Sequence, residues 1–169
     1  ERKSSRSFSK AKLPIRVLSG LLWAANGVNR PATGGRTVPS AGNMQEVDVY
    51  VALPRGLYLY DGENHLLSVV SGRDIRALTG TQSYVRDAAV NLIFVSDGRR
   101  MGGVPPEERD HLSSATAGAM AQNVYLYCAS EGLAAVVRAS FDRSALTAAM
   151  GLRPEQKILF AQSVGYPRK

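Results

Sequence analysis

With 169 residues, 44% of them hydrophobic and 21% charged, the chain has the balance of one globular domain with a single sizeable core. No apolar stretch reaches the roughly 18 residues of a membrane span, so the expectation is a soluble chain. The formal charge of +7, from 21 Lys and Arg against 14 Asp and Glu, favours anionic partners such as a nucleotide phosphate, nucleic acid or an anionic membrane surface. Scattered arginines and lone aromatics do not make the interleaved stripe of a single-strand binder, and nucleic acid is set aside as a partner.

The sequence starts at Glu1 rather than Met, the pattern of a processed or trimmed product. A bacterial cytoplasm is the default compartment, and export or a periplasmic location is the alternative if a signal peptide precedes Glu1. Cys128 is the single cysteine, which excludes an intrachain disulfide and a thiolate metal cluster. Its apolar setting, VYLYCAS, predicts a buried, inert thiol. The two histidines, His65 and His111, stand far apart, without the company a zinc site or a His-based hydrolase needs. An enzyme of this composition draws its chemistry from a bound organic cofactor.

In chain order, residues 1–12 are basic and Ser-rich, a composition that taken alone fits a frayed terminus. Ile15, Leu18, Leu21 and Leu22 recur at helical spacing from Pro14 to Ala25, with Pro14 suited to the first turn and Asn26-Gly27 as the stop. A loop dense in Gly, Pro and Ser follows. VDVYVAL and LYLYD alternate about the turn LPRG, which predicts a β-hairpin over residues 47–61, and His65 to Val70 fits a short third strand.

Residues 73–88 read as two short helices broken at Thr79-Gly80, and Val90 to Val95 as a buried strand. SDGRRMGGVPPEERD reads as a polar, mobile loop. From His111 to Glu131 an Ala-rich helix carries Leu112, Ala115, Ala119, Val124 and Tyr127 at helical intervals, capped by Gly132. Small residues suit close packing, which places this helix near the centre of the fold. AAVVRASF is a strand, Asp142 caps a short helix to Met150, and KILFAQSVG is a final strand. Strands interleave with helices while the first two form a hairpin, so the fold class is α+β, a mixed sheet flanked by helices. With no repeat and no dividing linker, residues 1–169 form one domain.

Four stretches could carry chemistry. Arg2, Lys3, Ser4 and Arg6 can hold a phosphate through charge-assisted hydrogen bonds, or form a solvated basic tail. In RTVPSAGNMQE, Pro39, Ser40 and Ala41 make a tight loop that can approach a planar ligand, and the amides of Asn43 and Gln45 can read a heterocycle edge. An ordinary loop entering a strand is equally consistent. Val137, Arg138, Ala139 and Ser140 mark the exit from a strand, either a ligand-facing backbone or plain core. Arg168 and Lys169 end the chain as phosphate contacts or as a disordered basic end.

The order and spacing of these blocks resemble the FMN-dependent nitroreductase family over almost the whole chain. RKSSRSF is similar to the family's N-terminal phosphate-binding pattern. LLWAANGVNR, RTVPSAGNMQEVDVYV and GLYLY resemble the branch of heterocycle-forming, SagB-type dehydrogenases; TAGAMAQNVYLYCASEGL, the GL of AAMGL and VGYP complete the series. The resemblance implies a homodimer binding FMN at two interface sites and using NAD(P)H to reduce nitro compounds, quinones or similar small electrophiles by a ping-pong mechanism. The alternatives are a flavin dehydrogenase acting on a peptide-borne heterocycle and a non-catalytic flavin-binding protein. By the same resemblance Arg2, Lys3, Ser4, Arg6 and Arg168 or Lys169 would contact the ribityl phosphate. The loop with Pro39, Ser40, Ala41, Asn43 and Gln45 would pack on flavin from the partner subunit. Gln82 would touch the isoalloxazine edge, and Val137 to Ser140 would face flavin N5 and O4. No protein residue is assigned as catalytic, because the flavin performs the chemistry. The stretch from Val137 to Ser140 lacks the Pro and Glu of many relatives, and the chain ends soon after VGYP, without the long C-terminal arm of larger members.

Overall fold

A computed structural model describes residues 1–168 of the chain; Lys169 lies outside the described residues. The elements in chain order are α1 (Ile15–Asn26), β1 (Val28–Arg30), β2 (Gly35–Arg36), β3 (Val47–Leu53), β4 (Gly56–Asp61), β5 (Leu66–Ser71), β6 (Val90–Asp97), α2 (Pro106–Ser130), β7 (Ala134–Arg138), α3 (Arg143–Met150) and β8 (Gln156–Gly165). Six strands form one sheet in the order β5-β4-β3-β6-β8-β7, and each neighbouring pair is antiparallel.

The period-two pattern sorts side chains to the two faces of this sheet. Val47, Val49 and Val51 of β3, with Leu92 and Phe94 of β6, point to the face covered by α1 and α2. Tyr50 and Ala52, with Ile93 and Val95, point to the other face, where Leu146 and Met150 of α3 pack with Ile75 and Phe141. Central β6 is therefore buried at every position, and its apolar side chains each contribute roughly 1.5–3 kcal/mol. This is the α+β fold, a sheet flanked by helices, that the sequence predicts, with the sheet antiparallel at every pairing where a mixed one is expected.

Short-range signals hold well. Helix α1 ends as Gly27 N–H donates to the Trp23 carbonyl at 2.7 Å. Asp142 caps α3, its carboxylate accepting from the Ala145 N–H at 2.9 Å, and Gly151 closes that helix at φ 64°. Past α2, Gly132 takes φ 66° and the Leu133 N–H returns to the Cys128 carbonyl at 2.8 Å, a Schellman closure.

Several expectations are corrected. Helix α2 begins at Pro106, five residues ahead of His111, because Pro106, Glu107 and Glu108 suit a first turn. Its buried face is Ser113, Thr116, Ala117, Met120, Ala121, Val124, Tyr125 and Cys128, so of the five positions read as one face only Val124 is buried in full. Ser113 tolerates burial because its hydroxyl meets that of Ser96 at 2.8 Å. Ile15 is 75% exposed, not core. Residues 73–88 form two 3-10 turns, Arg76–Thr79 and Ser83–Arg86, rather than α-helices. The loop after α1 folds back as the β1–β2 pair, turning where Gly34 takes φ 65°. The strand over 134–141 pairs only as far as Arg138, and Ala139 and Ser140 leave the sheet.

Candidate functional site

The basic start is not a frayed end. Phe8 is buried against Ala88, Ala134 and Val136, with the Tyr84 ring 5.9 Å away, and this apolar plug fixes the residues before it. The Ser5 N–H donates to the Ala135 carbonyl and the Ser9 N–H to the Tyr166 carbonyl, both at 2.8 Å, so the segment lies along the edge of β7 and the chain end. Arg168 joins it, its N–H donating to the Ser7 carbonyl at 3.3 Å and its guanidinium standing 3.6 Å from Asp87. Among the described residues, Arg2, Lys3 and Arg6 have no carboxylate partner. Three unpaired cations and a hydroxyl on one short segment are chemically suited to a phosphate.

Tyr125 of α2 ties this segment to the end of β7. Its hydroxyl meets Ser4 Oγ at 2.8 Å and accepts from the Val137 N–H at 2.9 Å, while the Arg2 guanidinium lies 5.0 Å from its ring centre. Beside it opens a cavity of about 340 Å³ lined by Gly118, Ala121, Gln122, Tyr125, Val137, Arg138, Ala139 and Phe160. Gln82 is drawn toward the same exit because the Thr81 N–H donates to the Ser140 carbonyl at 3.0 Å. Its side-chain oxygen is buried and has no hydrogen-bond partner among the described residues. That oxygen lies beside Gly80 and Arg138 rather than in the slot, so it is the open apolar slot and the unpaired cations next to it that fit a planar cofactor with a phosphate arm.

Arg138 faces away from the slot. Its guanidinium donates to the Thr79 carbonyl and hydroxyl, to Ser163 Oγ and to Asn91 Oδ1 at 2.8–3.1 Å, all neutral partners. Burial pushes it down to about 10, which leaves it charged at neutral pH. Gly80 makes room for it, since a Cβ there would meet Arg138 Nε at 2.4 Å. At this position the side chain is structural, and only the backbone and neighbouring residues remain for a ligand.

The Pro39 to Gln45 loop stands apart. Ser40 Oγ accepts from the Gln45 N–H at 2.9 Å, and the Gln45 amide bridges Arg36, Gly34 and Asn43 at 2.9–3.2 Å. Gly42, Asn43 and Gln45 all take positive φ, near 50–55°, so the loop is held in a conformation costly for the last two. Asn123 of α2 anchors the approach to it by donating to the Thr37 and Ala24 carbonyls at 3.1 Å. Asn123 and Tyr125 are two positions apart, so these anchors lie on different faces of α2. Within one chain the loop and the cavity do not meet. Next to Gln45, Glu46 is fully buried and neither carboxylate oxygen has a partner among the described residues.

Burial pushes the Cys128 thiol up to about 12, which makes it inert, as its apolar neighbours predict. His65 bridges Ser19 Oγ at 2.7 Å and the Tyr60 hydroxyl at 2.8 Å, away from the cavity. Among the described residues no group of three or more His, Cys, Asp or Glu could hold a metal ion. Among the described residues no helix is long and apolar enough to cross a membrane. Sequence reasoning missed Tyr125, Gln122 and Phe160; the i, i+4 pair Ala121 and Tyr125 was the available signal for the true inner face of α2.

Comparison with known proteins gives the family and the fold. The model of the nitroreductase family matches residues 1–166. A candidate nitroreductase of Methanocaldococcus jannaschii is 30% identical over 151 residues, 83% of this chain and 76% of that protein. The crystal structure of a candidate nitroreductase from Ralstonia eutropha superposes with a TM-score of 0.95 at 47% identity, covering 99% of this chain and 80% of that one. At the level of fold alone, the Escherichia coli microcin synthetase McbBCD complex with truncated pro-MccB17 bound gives 0.89 at 22% identity, covering 100% and 70%. A candidate nitroreductase from Desulfovibrio desulfuricans in complex with FMN gives 0.69 at 22%, covering 99% and 83%. The chain belongs to the nitroreductase family.

Proposed function

We propose that the protein is an FMN-dependent oxidoreductase that works as a homodimer, taking hydride from NAD(P)H and passing it to nitro compounds, quinones or similar small electrophiles. The observation that carries this reading is the convergence of Arg2, Ser4, Val137 and Ala139 around the slot beside Tyr125. A bound flavin supplies the hydride chemistry. Arg2, Lys3, Ser4 and Arg6, with Arg168 and Lys169, hold its phosphate. Gln82 and the backbone from Val137 to Ser140 fix the ring edge, and Tyr125 and Phe160 exclude water from one side.

The loop holding Pro39, Ser40, Ala41, Asn43 and Gln45 completes the slot from a second copy of the chain. Support for this comes from its separation from the slot within one chain and from the exposed face of α2 at Ala115, Gly118 and Gln122. Among the described residues that line the cavity, Tyr125 is the one whose titratable side chain stands at the slot, since the Arg138 guanidinium is turned to Thr79, Asn91 and Ser163, and we assign the protons for the acceptor to water. The test is initial-rate kinetics of NADH and NADPH oxidation at several fixed concentrations of a nitroaromatic and of a quinone. Parallel double-reciprocal lines are expected. Absence of acceptor-dependent oxidation in FMN-loaded protein would return the chain to a flavin-binding role without turnover.

A further inference from the structure

We propose that a second cavity, at the end of the sheet where β3 finishes and β6 begins, is a ligand site for a small organic anion with an apolar body. This cavity of about 680 Å³ shares no lining residue with the slot beside Tyr125. Its size falls within the range of pockets that enclose small ligands. Leu13, Leu18 and Leu53 give it apolar walls, and Ile15, 75% exposed, stands at its mouth. An exposed Ile in the first turn of α1 has no packing partner that explains it, but it would cover the body of a bound ligand.

Charge sets the class of ligand. Lys10, Lys12, Arg55, Arg76 and Arg86 line the cavity, against the single carboxylate of Asp87. Asp87 is drawn toward Arg168, and Arg76 is held by Asp74 at 2.8 Å and by the Ala88 carbonyl at 3.0 Å. Lys10, Lys12, Arg55 and Arg86 have no carboxylate partner among the described residues. Four exposed cations without a carboxylate partner around apolar walls make the cavity electropositive, and an anion that enters reduces their mutual repulsion. A carboxylate, sulfonate or phosphate on an aliphatic or aromatic body answers both features. A neutral apolar compound leaves the repulsion in place, and a bare inorganic anion leaves the walls wet.

The test titrates the purified protein, with and without added FMN, with 1-anilinonaphthalene-8-sulfonate, followed by fluorescence and displaced by decanoate. Saturable binding is expected, unchanged by FMN, and at least about tenfold tighter than for uncharged N-phenyl-1-naphthylamine, a difference of about 1.4 kcal/mol. Lys12→Glu combined with Arg55→Glu changes two exposed side chains and should weaken the sulfonate by a further factor of about ten while leaving the neutral probe unaffected. Equal binding of the two probes, competition by FMN, or an unaltered affinity in the double variant would each overturn the proposal.

Discussion

Replacing Tyr125 by Phe removes one oxygen atom and two contacts, and the consequence can be worked through. The hydroxyl accepts from the Val137 N–H at 2.9 Å and meets Ser4 Oγ at 2.8 Å. Tyr125 is only 6% exposed, so the Val137 N–H loses its acceptor in a place where water has poor access. An unsatisfied buried donor costs about 1–3 kcal/mol, and Ser4 forfeits a further bond of about 0.5–1.5 kcal/mol that pre-orders the basic segment. Global stability should therefore fall by about 1.5–4.5 kcal/mol. FMN affinity should fall because ordering of Ser4 must then be supplied on binding; a cost of about 1–2 kcal/mol corresponds to roughly a 5–30-fold weaker Kd. Urea unfolding of the protein without FMN measures the first effect, and quenching of flavin fluorescence on titration measures the second. A Tyr125→Phe variant that binds FMN within about twofold of the parent would refute the claim that this hydroxyl organises the site.

Three further outcomes follow from the same geometry. Arg138→Leu should cost about 1–3 kcal/mol in urea unfolding, because the Thr79 carbonyl loses its buried donor while Asn91 Oδ1 and Ser163 Oγ keep only their bond to each other; a loss under about 1 kcal/mol would show that these groups find other partners. Cys128 should resist a disulfide thiol reagent in the native protein at pH 8 and react fully after unfolding; fast native labelling would contradict its burial. The folded thiol and the Tyr60 hydroxyl are both pushed up to about 12 by burial, so the folded chain keeps protons that the unfolded chain releases. Their contribution is complete below the ordinary thiol and phenol ranges and is lost as pH rises toward about 12, at up to roughly 1.4 kcal/mol per pH unit for each group. Stability in urea at rising alkaline pH should decline, and less steeply in Cys128→Ala.

Elements whose ends and faces are written in strong local chemistry were legible. Asp142 and Gly151 bracket α3, LPRG turns the β3–β4 hairpin, and alternation places Val47, Val49 and Val51 on one face. Helix α2 was legible as a helix but not as an oriented one. Ala, Ser, Gly and Thr recur around its whole circumference, and with so little contrast between faces the packing against β6 and β8, not the pattern, selects Ser113 and Thr116 for burial. The 3-10 turns at Arg76–Thr79 and Ser83–Arg86 are each too short to carry a period, and the β1–β2 pair is fixed by its Gly34 turn rather than by apolar content.

The site was legible in pieces. The segment from Arg2 to Arg6 and the stretch from Val137 to Ser140 were named separately, while the residue that joins them, Tyr125, sits 121 positions from Ser4 and carries no signal of its own. The inward turn of Arg138 depends on acceptors from three other segments, at Thr79, Asn91 and Ser163, which only the folded sheet assembles.

The central claim is that the slot beside Tyr125 holds FMN. The most direct measurement is the visible spectrum of the purified protein, followed by release of the chromophore with heat and its identification. The account predicts the bands of oxidised flavin and release of FMN at about one per chain. A colourless protein that cannot be reconstituted with FMN would contradict it and remove the basis for every cofactor contact assigned from Arg2 to Lys169.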